Sequence, residues 1–158
     1  MKRVHTQPFV VVAAIIEKDG KFLLVQEAWG PVKGLWNTPA GWLDLGEDPV
    51  GASAREAKEE TGYNFTPEAL LGIYSSVKTE GGELKHPVKL AFKGSITGEQ
   101  LPVDQAEINQ SKWFTPEEIY RMDSKTLRDA NIKQIIKDYL AGKQYPLGII
   151  RHSAGHQW

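Results

Sequence analysis

The chain has 158 residues, 41% of them apolar, which is one domain's length and enough apolar material to bury a core. Lys and Arg number 19 against 20 Asp and Glu, and the formal charge of -1 gives no field that would gather nucleic acid nonspecifically. With no cysteine, disulfides, zinc-thiolate sites, iron-sulfur clusters and cysteine nucleophiles are excluded, and any catalytic metal must sit on oxygen or imidazole.

The longest apolar run, Phe9 to Ile16, has eight residues, whereas a membrane-spanning helix needs about 20. Lys2 and Arg3 precede it, but Pro8 interrupts its start and Glu17-Lys18-Asp19-Gly20 follows without a small-residue cleavage site. It reads as a buried strand rather than a leader, so no membrane partner is expected and the cytoplasm is the expected location. Asp19-Gly20 turns the chain into a second strand, Phe22 to Glu27, predicting a hairpin. Further on, Asp48 caps, Pro49 starts and Gly62 ends a helix over Pro49 to Thr61.

Another strand is predicted over Ala69 to Val77, and Gly81-Gly82 supplies a turn. Between Val88 and Ile96, the apolar Val88, Leu90, Phe92 and Ile96 alternate with Lys89, Lys93 and Ser95, the period of a half-exposed strand. A short strand ends at Trp113-Phe114. Thr115-Pro116-Glu117-Glu118 reads as a capping box opening a short helix. In the last helix Ile132, Ile135, Ile136, Tyr139 and Leu140 form one buried stripe, and Gly142 stops it. Strands interleaved with three helices predict one domain over residues 1–158, of α/β (α+β) class with a mixed sheet.

Within the central helix, Val50, Ala54, Ala57 and Thr61 fall in one narrow stripe of small residues that would face the core. Glu56, Glu59 and Glu60, at i, i+3 and i+4, fall on a different face within about 100° of one another. Their mutual repulsion destabilises the helix by roughly 0.2–0.5 kcal/mol per pair. A divalent cation would turn that repulsion into binding, and hard oxygen donors without sulfur select Mg²⁺, or Mn²⁺ as a substitute. Three glutamates alone are more often simply a solvated face, since charged helical faces are common.

The surrounding spacing discriminates. Gly41, five residues, Glu47, seven residues, then Arg55-Glu56-Ala57-Lys58-Glu59-Glu60-Thr61-Gly62-Tyr63 resembles the Nudix box at every fixed position, with Ala57 the one soft match to an expected aliphatic residue. The resemblance implies an α/β/α sandwich and hydrolysis of a diphosphate linked to another moiety, with Mg²⁺ held by Glu56, Glu59 and Glu60. Glu47 can reach either a metal or Arg55. Arg55 looks like an orienting partner of the carboxylates, and Gly41 and Gly46 would allow the tight loop that carries Glu47. Members of the family differ in their general base; Glu107 and Glu59 are the candidates.

Trp29, Lys33 and Trp36 precede the box, where an aromatic and a cation could stack a base and meet phosphate. The segments Leu35-Trp36-Asn37-Thr38-Pro39-Ala40-Gly41 and Lys143-Gln144-Tyr145-Pro146-Leu147 are similar to bacterial Nudix phosphatases acting on nucleoside di- and triphosphates and thiamine-pathway pyrophosphates; Trp42 departs from that pattern. His152 and His156 share i, i+4 spacing in a polar tail, and with His5 and His86 give no metal signal. A small-molecule nucleotide or diphosphate, no nucleic acid, and a monomer or homodimer are expected. The alternative is a non-catalytic nucleotide-sensing Nudix module, which would be expected to lack box glutamates.

Overall fold

Val and Ile favour extended backbone, and Phe9–Ile15 forms β1, whose last four residues are all buried. A strand apolar on both faces needs cover on both, so β1 takes a central place in a large sheet. It runs parallel to β9 (Pro87–Thr97) and antiparallel to β5 (Ala40–Trp42). This corrects the expected hairpin: β3 (Lys21–Glu27) lies in a second sheet, and only the two-residue β2 (Glu17–Lys18) pairs with it across the turn. Asp19 and Gly20 have φ of 51° and 76°, the mirror-image turn that suits a two-residue hairpin.

The computed structural model describes residues 7–155; Lys2, Arg3, His5 and His156 lie outside the described residues. The main sheet has the order β11-β6-β9-β1-β5, with β6 at Asn64–Ser75 and β11 at Tyr145–Pro146. The second sheet joins β10 (Ile108–Phe114) to β3 and β2, with β4 (Trp36–Asn37) also on β3. Gly81 and Gly82 do not lead directly into β9. With φ of 60° and 80° they close a separate hairpin of β7 (Lys78–Glu80) and β8 (Glu83–Lys85).

Local chemistry sets the helices. α1 spans Pro49–Thr61: the Asp48 carboxylate accepts from the Val50 and Gly51 amides at 3.3 and 3.4 Å, and Gly62 ends it in the left-handed conformation. α2 (Pro116–Arg121) opens on a full capping box, with Glu118 N donating to Thr115 Oγ1 at 3.2 Å and Thr115 N to Glu118 Oε2 at 2.7 Å. α3 (Ile132–Leu140) buries Ile132, Ile135 and Ile136, each worth about 1.5–3 kcal/mol in removed apolar surface.

The main sheet is covered on both faces, giving an α/β/α sandwich with a mixed sheet. Ala52 and Ala57 of α1 pack with Val12, Ala14, Ile16, Leu70 and Phe92, while α3 and α2 pack with Ala13, Ile15, Leu71 and Ala91 on the other side. That double cover overturns two expectations. Lys89, expected on an exposed face, is 3% exposed and paired with Asp129. Leu140, expected in the buried stripe of α3, is 56% exposed, and Asp138 takes the inner position because the Tyr74 hydroxyl donates to it at 2.7 Å. Among the described residues no helix is long and apolar enough to cross a membrane.

Candidate active site

The buried residues of α1 are Ala52, Ser53, Glu56, Ala57, Glu60 and Thr61, whereas Val50 and Ala54 are half-buried. The inner face is therefore turned toward the glutamates from the expected stripe. Glu56 and Glu60 point inward, and Glu59 alone of the three is exposed. Burying carboxylates is costly unless they find donors or cations, and β5 supplies the first. Ala40 N donates to Glu60 Oε2 at 2.9 Å. Next to it, the Glu56 carboxylate lies so close to Gly41 that an added Cβ would stand 2.2 Å from its carboxyl carbon.

Gly41 is thus needed for close approach rather than for a turn, correcting the expected reason; its φ is not positive. Gly46, with φ of 81°, does serve the loop conformation.

Arg55 stands at the centre of the outer carboxylates. Its Nε and Nη2 donate to the two oxygens of Glu47 at 2.6 and 2.9 Å, and Nη1 donates to Glu56 Oε1 at 2.8 Å and Glu59 Oε2 at 3.1 Å. Nη2 also reaches the Trp42 carbonyl at 3.3 Å, which ties α1 to β5. Both oxygens of Glu47 are engaged by Arg55, and this holds the Glu47 carboxyl below its ordinary pKa. The same bond raises the pKa of Arg55.

The inner pair behaves oppositely. Burial pushes the Glu56 carboxyl up against the pull of Arg55, with Glu59 and Asp44 adding to the rise. Burial pushes Glu60 well above the ordinary range; the Ala40 amide opposes it, and the charges of Glu27 and Glu56 reinforce it. Among the described residues Glu60 has no ion-pair partner.

Among the described residues no three acidic or histidine side chains already stand at metal-binding spacing, since Arg55 occupies the space between Glu47, Glu56 and Glu59. The donor set fits a hard divalent cation all the same. Glu56 and Glu59 each give Arg55 one oxygen and Glu60 gives one to Ala40, so each keeps its second carboxylate oxygen.

The remaining expected residues lie apart from this group. Glu107 is exposed in a turn; its carbonyl accepts from Ala28 N at 3.0 Å, beside the end of β3, and among the described residues its side chain has no hydrogen bond. Trp29, 58% exposed, and Lys33 flank the 3-10 turn Gly30–Val32. Trp36 is half-buried and packs edge-on against Phe114 at 4.9 Å between ring centres, a wall of the core.

A second charged cluster has no sequence motif. Arg128 Nη1 donates to Glu27 Oε1 at 2.6 Å, and Asn37 Nδ2 lies 3.4 Å from the same oxygen. Glu80 holds Lys85 at 2.9 Å and Lys78 at 3.2 Å, and Lys89 pairs with Asp129 at 2.8 Å. Charged residues at inward positions of buried strands, Glu27 in β3 and Lys89 in β9, were the available signal.

Burial alone would raise the Glu80 carboxyl, but the Lys85 bond and the charges of Arg128, Lys78 and Lys85 bring it from 4.5 down to about 2. A depressed folded-state pKa stabilises the fold above the unfolded value and ceases to do so as pH falls toward the folded one. Glu80→Gln is therefore expected to lower the melting temperature at pH 7, and the two proteins' melting temperatures to converge between about pH 4.5 and 2. A gap independent of pH, in thermal scans across that range, would contradict the charge-based account.

The family model for the NUDIX domain matches residues 6–139. Phosphatase NudJ of Escherichia coli strain K12 is 35% identical over 147 residues, covering 91% of each chain. A NUDIX hydrolase from Nitrosomonas europaea superposes with a TM-score of 0.83 at 37% identity, over 95% of this chain and 100% of that one. A MutT NUDIX hydrolase from Burkholderia pseudomallei gives a TM-score of 0.65 at 27% identity, over 76% and 93%.

Proposed function

The chain belongs to the NUDIX family, and from that premise we propose that it cleaves a phosphoanhydride bond in a nucleoside di- or triphosphate, or a related X-linked diphosphate, with Mg²⁺ or Mn²⁺. The observation that carries this reading is Glu60, a buried carboxylate with no ion-pair partner among the described residues, set beside Glu56 on the floor formed by Ala40 and Gly41. Two inward carboxylates that burial pushes up, with the Glu56 charge adding to the rise at Glu60, are strained without a cation between them.

In this reading Glu56, Glu59 and Glu60 hold the metal, and Glu47 acts through Arg55. When bound, Mg²⁺ neutralises charge on the diphosphate and acidifies a coordinated water. Arg55 holds one oxygen of Glu56 and one of Glu59, which orients both carboxylates and leaves the second oxygen of each for the metal. Of the candidate bases Glu59 is favoured, because it is exposed and sits in the same cluster, whereas among the described residues the Glu107 side chain makes no hydrogen bond or ion pair with it. Trp29 and Lys33, exposed on one loop, are candidates to meet the moiety beyond the diphosphate, with half-buried Trp36, packed on Phe114, a weaker one. Similarity to a protein named a phosphatase supports release of phosphate as well as pyrophosphate.

The test is a panel of NTPs, dNTPs, ADP-ribose, dinucleotides and thiamine-type pyrophosphates with Mg²⁺, Mn²⁺ or EDTA, with phosphate and pyrophosphate release read separately. Metal-dependent turnover of at least one nucleotide is expected. No metal-dependent turnover anywhere on the panel overturns the proposal.

A further inference from the structure

The cluster around Arg128 adjoins the box floor. Leu127 bridges Trp36 in parallel, and Arg128 N donates to the Trp36 carbonyl at 2.9 Å, so this segment runs alongside β4. From Asn37 the chain passes through Thr38 and Pro39 to Ala40 and Gly41, which receive Glu60 and Glu56. Arg128 therefore lies near the box floor, close enough to Glu60 that each influences the other's charge.

Its guanidinium is held from two sides. Nη1 donates to Glu27, which is 3% exposed, and Nη2 lies 3.6 Å from Glu80 on the β7–β8 hairpin. The hairpin is fixed in turn: Lys78 Nζ donates to the Arg128 carbonyl at 3.0 Å, and Gly81 at its tip lies against Pro31. Burial disfavours the charge on Arg128, and Glu27, Glu80 and Glu60 together outweigh it, so the group stays protonated.

Arginine carries five N–H donors. Among the described residues the Arg128 side chain makes one hydrogen bond, to Glu27, and a longer ion pair to Glu80, and 26% of that side chain is exposed. Among the described residues, Asn37 Oδ1 of β4 and Thr38 Oγ1 just after it are also buried without a partner. The charges interleave: Arg128, Lys78, Lys85 and Lys89 stand among Glu27, Glu80, Asp129 and Glu60.

We propose that Arg128 is a substrate-binding residue whose open N–H edge takes phosphate oxygens of the substrate, opposite the box carboxylates, while Glu27 and Glu80 hold that edge in place. A planar guanidinium fixed at two points is preorganised for two parallel bonds to a phosphate, which an ammonium cannot make. The ligand class is a polyphosphate monoester, gripped through metal on one side and through Arg128 on the other. The inference rests on the hydrolase reading, and its test separates the two.

Wild type, Arg128→Gln and Arg128→Lys are compared in steady-state kinetics on the best nucleotide of the panel, and in titration with inorganic pyrophosphate in EDTA. Arg128→Gln is expected to raise KM at least about 10-fold with kcat within about threefold, and to weaken pyrophosphate binding by a similar factor. Arg128→Lys should recover part of both, and it serves as the readout if the glutamine variant does not fold. An unchanged KM overturns the proposal, as does a fall in kcat and melting temperature without a KM shift, the signature of a strut. Should the wild type hydrolyse nothing, the hydrolase reading fails, and the EDTA titration alone decides: lost pyrophosphate affinity in the variants upholds Arg128, and unchanged or absent affinity overturns it.

Discussion

Glu60→Gln is expected to lower kcat at least about 100-fold while leaving the metal-free protein as stable as wild type or more so. The two effects have one cause. Glu60 is 8% exposed, and without a cation its charge is opposed by burial and by Glu27 and Glu56. Glutamine removes that charge at nearly constant shape, and its carbonyl can still accept from Ala40 N. The Ala40 amide and the Arg128 charge only partly offset the opposition to that charge, so a neutral isostere should stabilise by about 1–3 kcal/mol, a few degrees in melting temperature. With metal and substrate the balance reverses, because the missing charge is the one the cation requires. Thermal scans in EDTA and in Mg²⁺, beside kcat, check both halves. Turnover within about threefold of wild type would remove Glu60 from the metal site, and a lower melting temperature in EDTA would show that its charge is compensated in some other way.

Features set by neighbours in sequence were legible before the fold was known. The bounds of α1 follow from Asp48, Pro49 and Gly62, and the start of α2 from Thr115 and Glu118, because a cap is a contact over three residues. Features set by distant partners were not. β1 and β3 are adjacent in sequence and joined by a good turn, yet β1 pairs with β5 and β9, since both its faces need covering.

The inner face of α1 shows the same limit. Apolarity alone placed the core along Val50, Ala54, Ala57 and Thr61, and the helix turned so that Glu56 and Glu60 also face inward. What made room for them was the Ala40 amide and the missing side chain of Gly41, neither of which a helical wheel contains. Arg128 is the extreme case. It lies in a loop with no motif, and its partners Glu27 and Glu80 are 101 and 48 residues away in the chain.

Gly41→Ala isolates that contact. The residue lies in β5 opposite Val12 of the buried β1, so the backbone has little freedom to retreat. Its φ is not in the left-handed region, so alanine is acceptable to the backbone and the cost comes from the collision alone. The new Cβ would stand 2.2–2.3 Å from the three carboxyl atoms of Glu56. Glu56 must swing away, giving up its 2.8 Å bond from Arg55 and its place beside Glu60. Because the colliding atoms are the end of a flexible side chain, the stability cost is small, about 1 kcal/mol and chiefly the lost Arg55 bond, but a displaced ligand should lower kcat at least about 10-fold.

Gly46→Ala is the contrast, because φ is 81° there and nothing lies within 4 Å of the added carbon. It should cost about 1 kcal/mol of backbone strain with a smaller loss of turnover. A double-mutant cycle with Glu56→Ala then settles the cause. If Gly41 is glycine because Glu56 lies against it, Gly41→Ala becomes nearly neutral for stability once Glu56 is truncated, whereas additive losses would place the clash elsewhere.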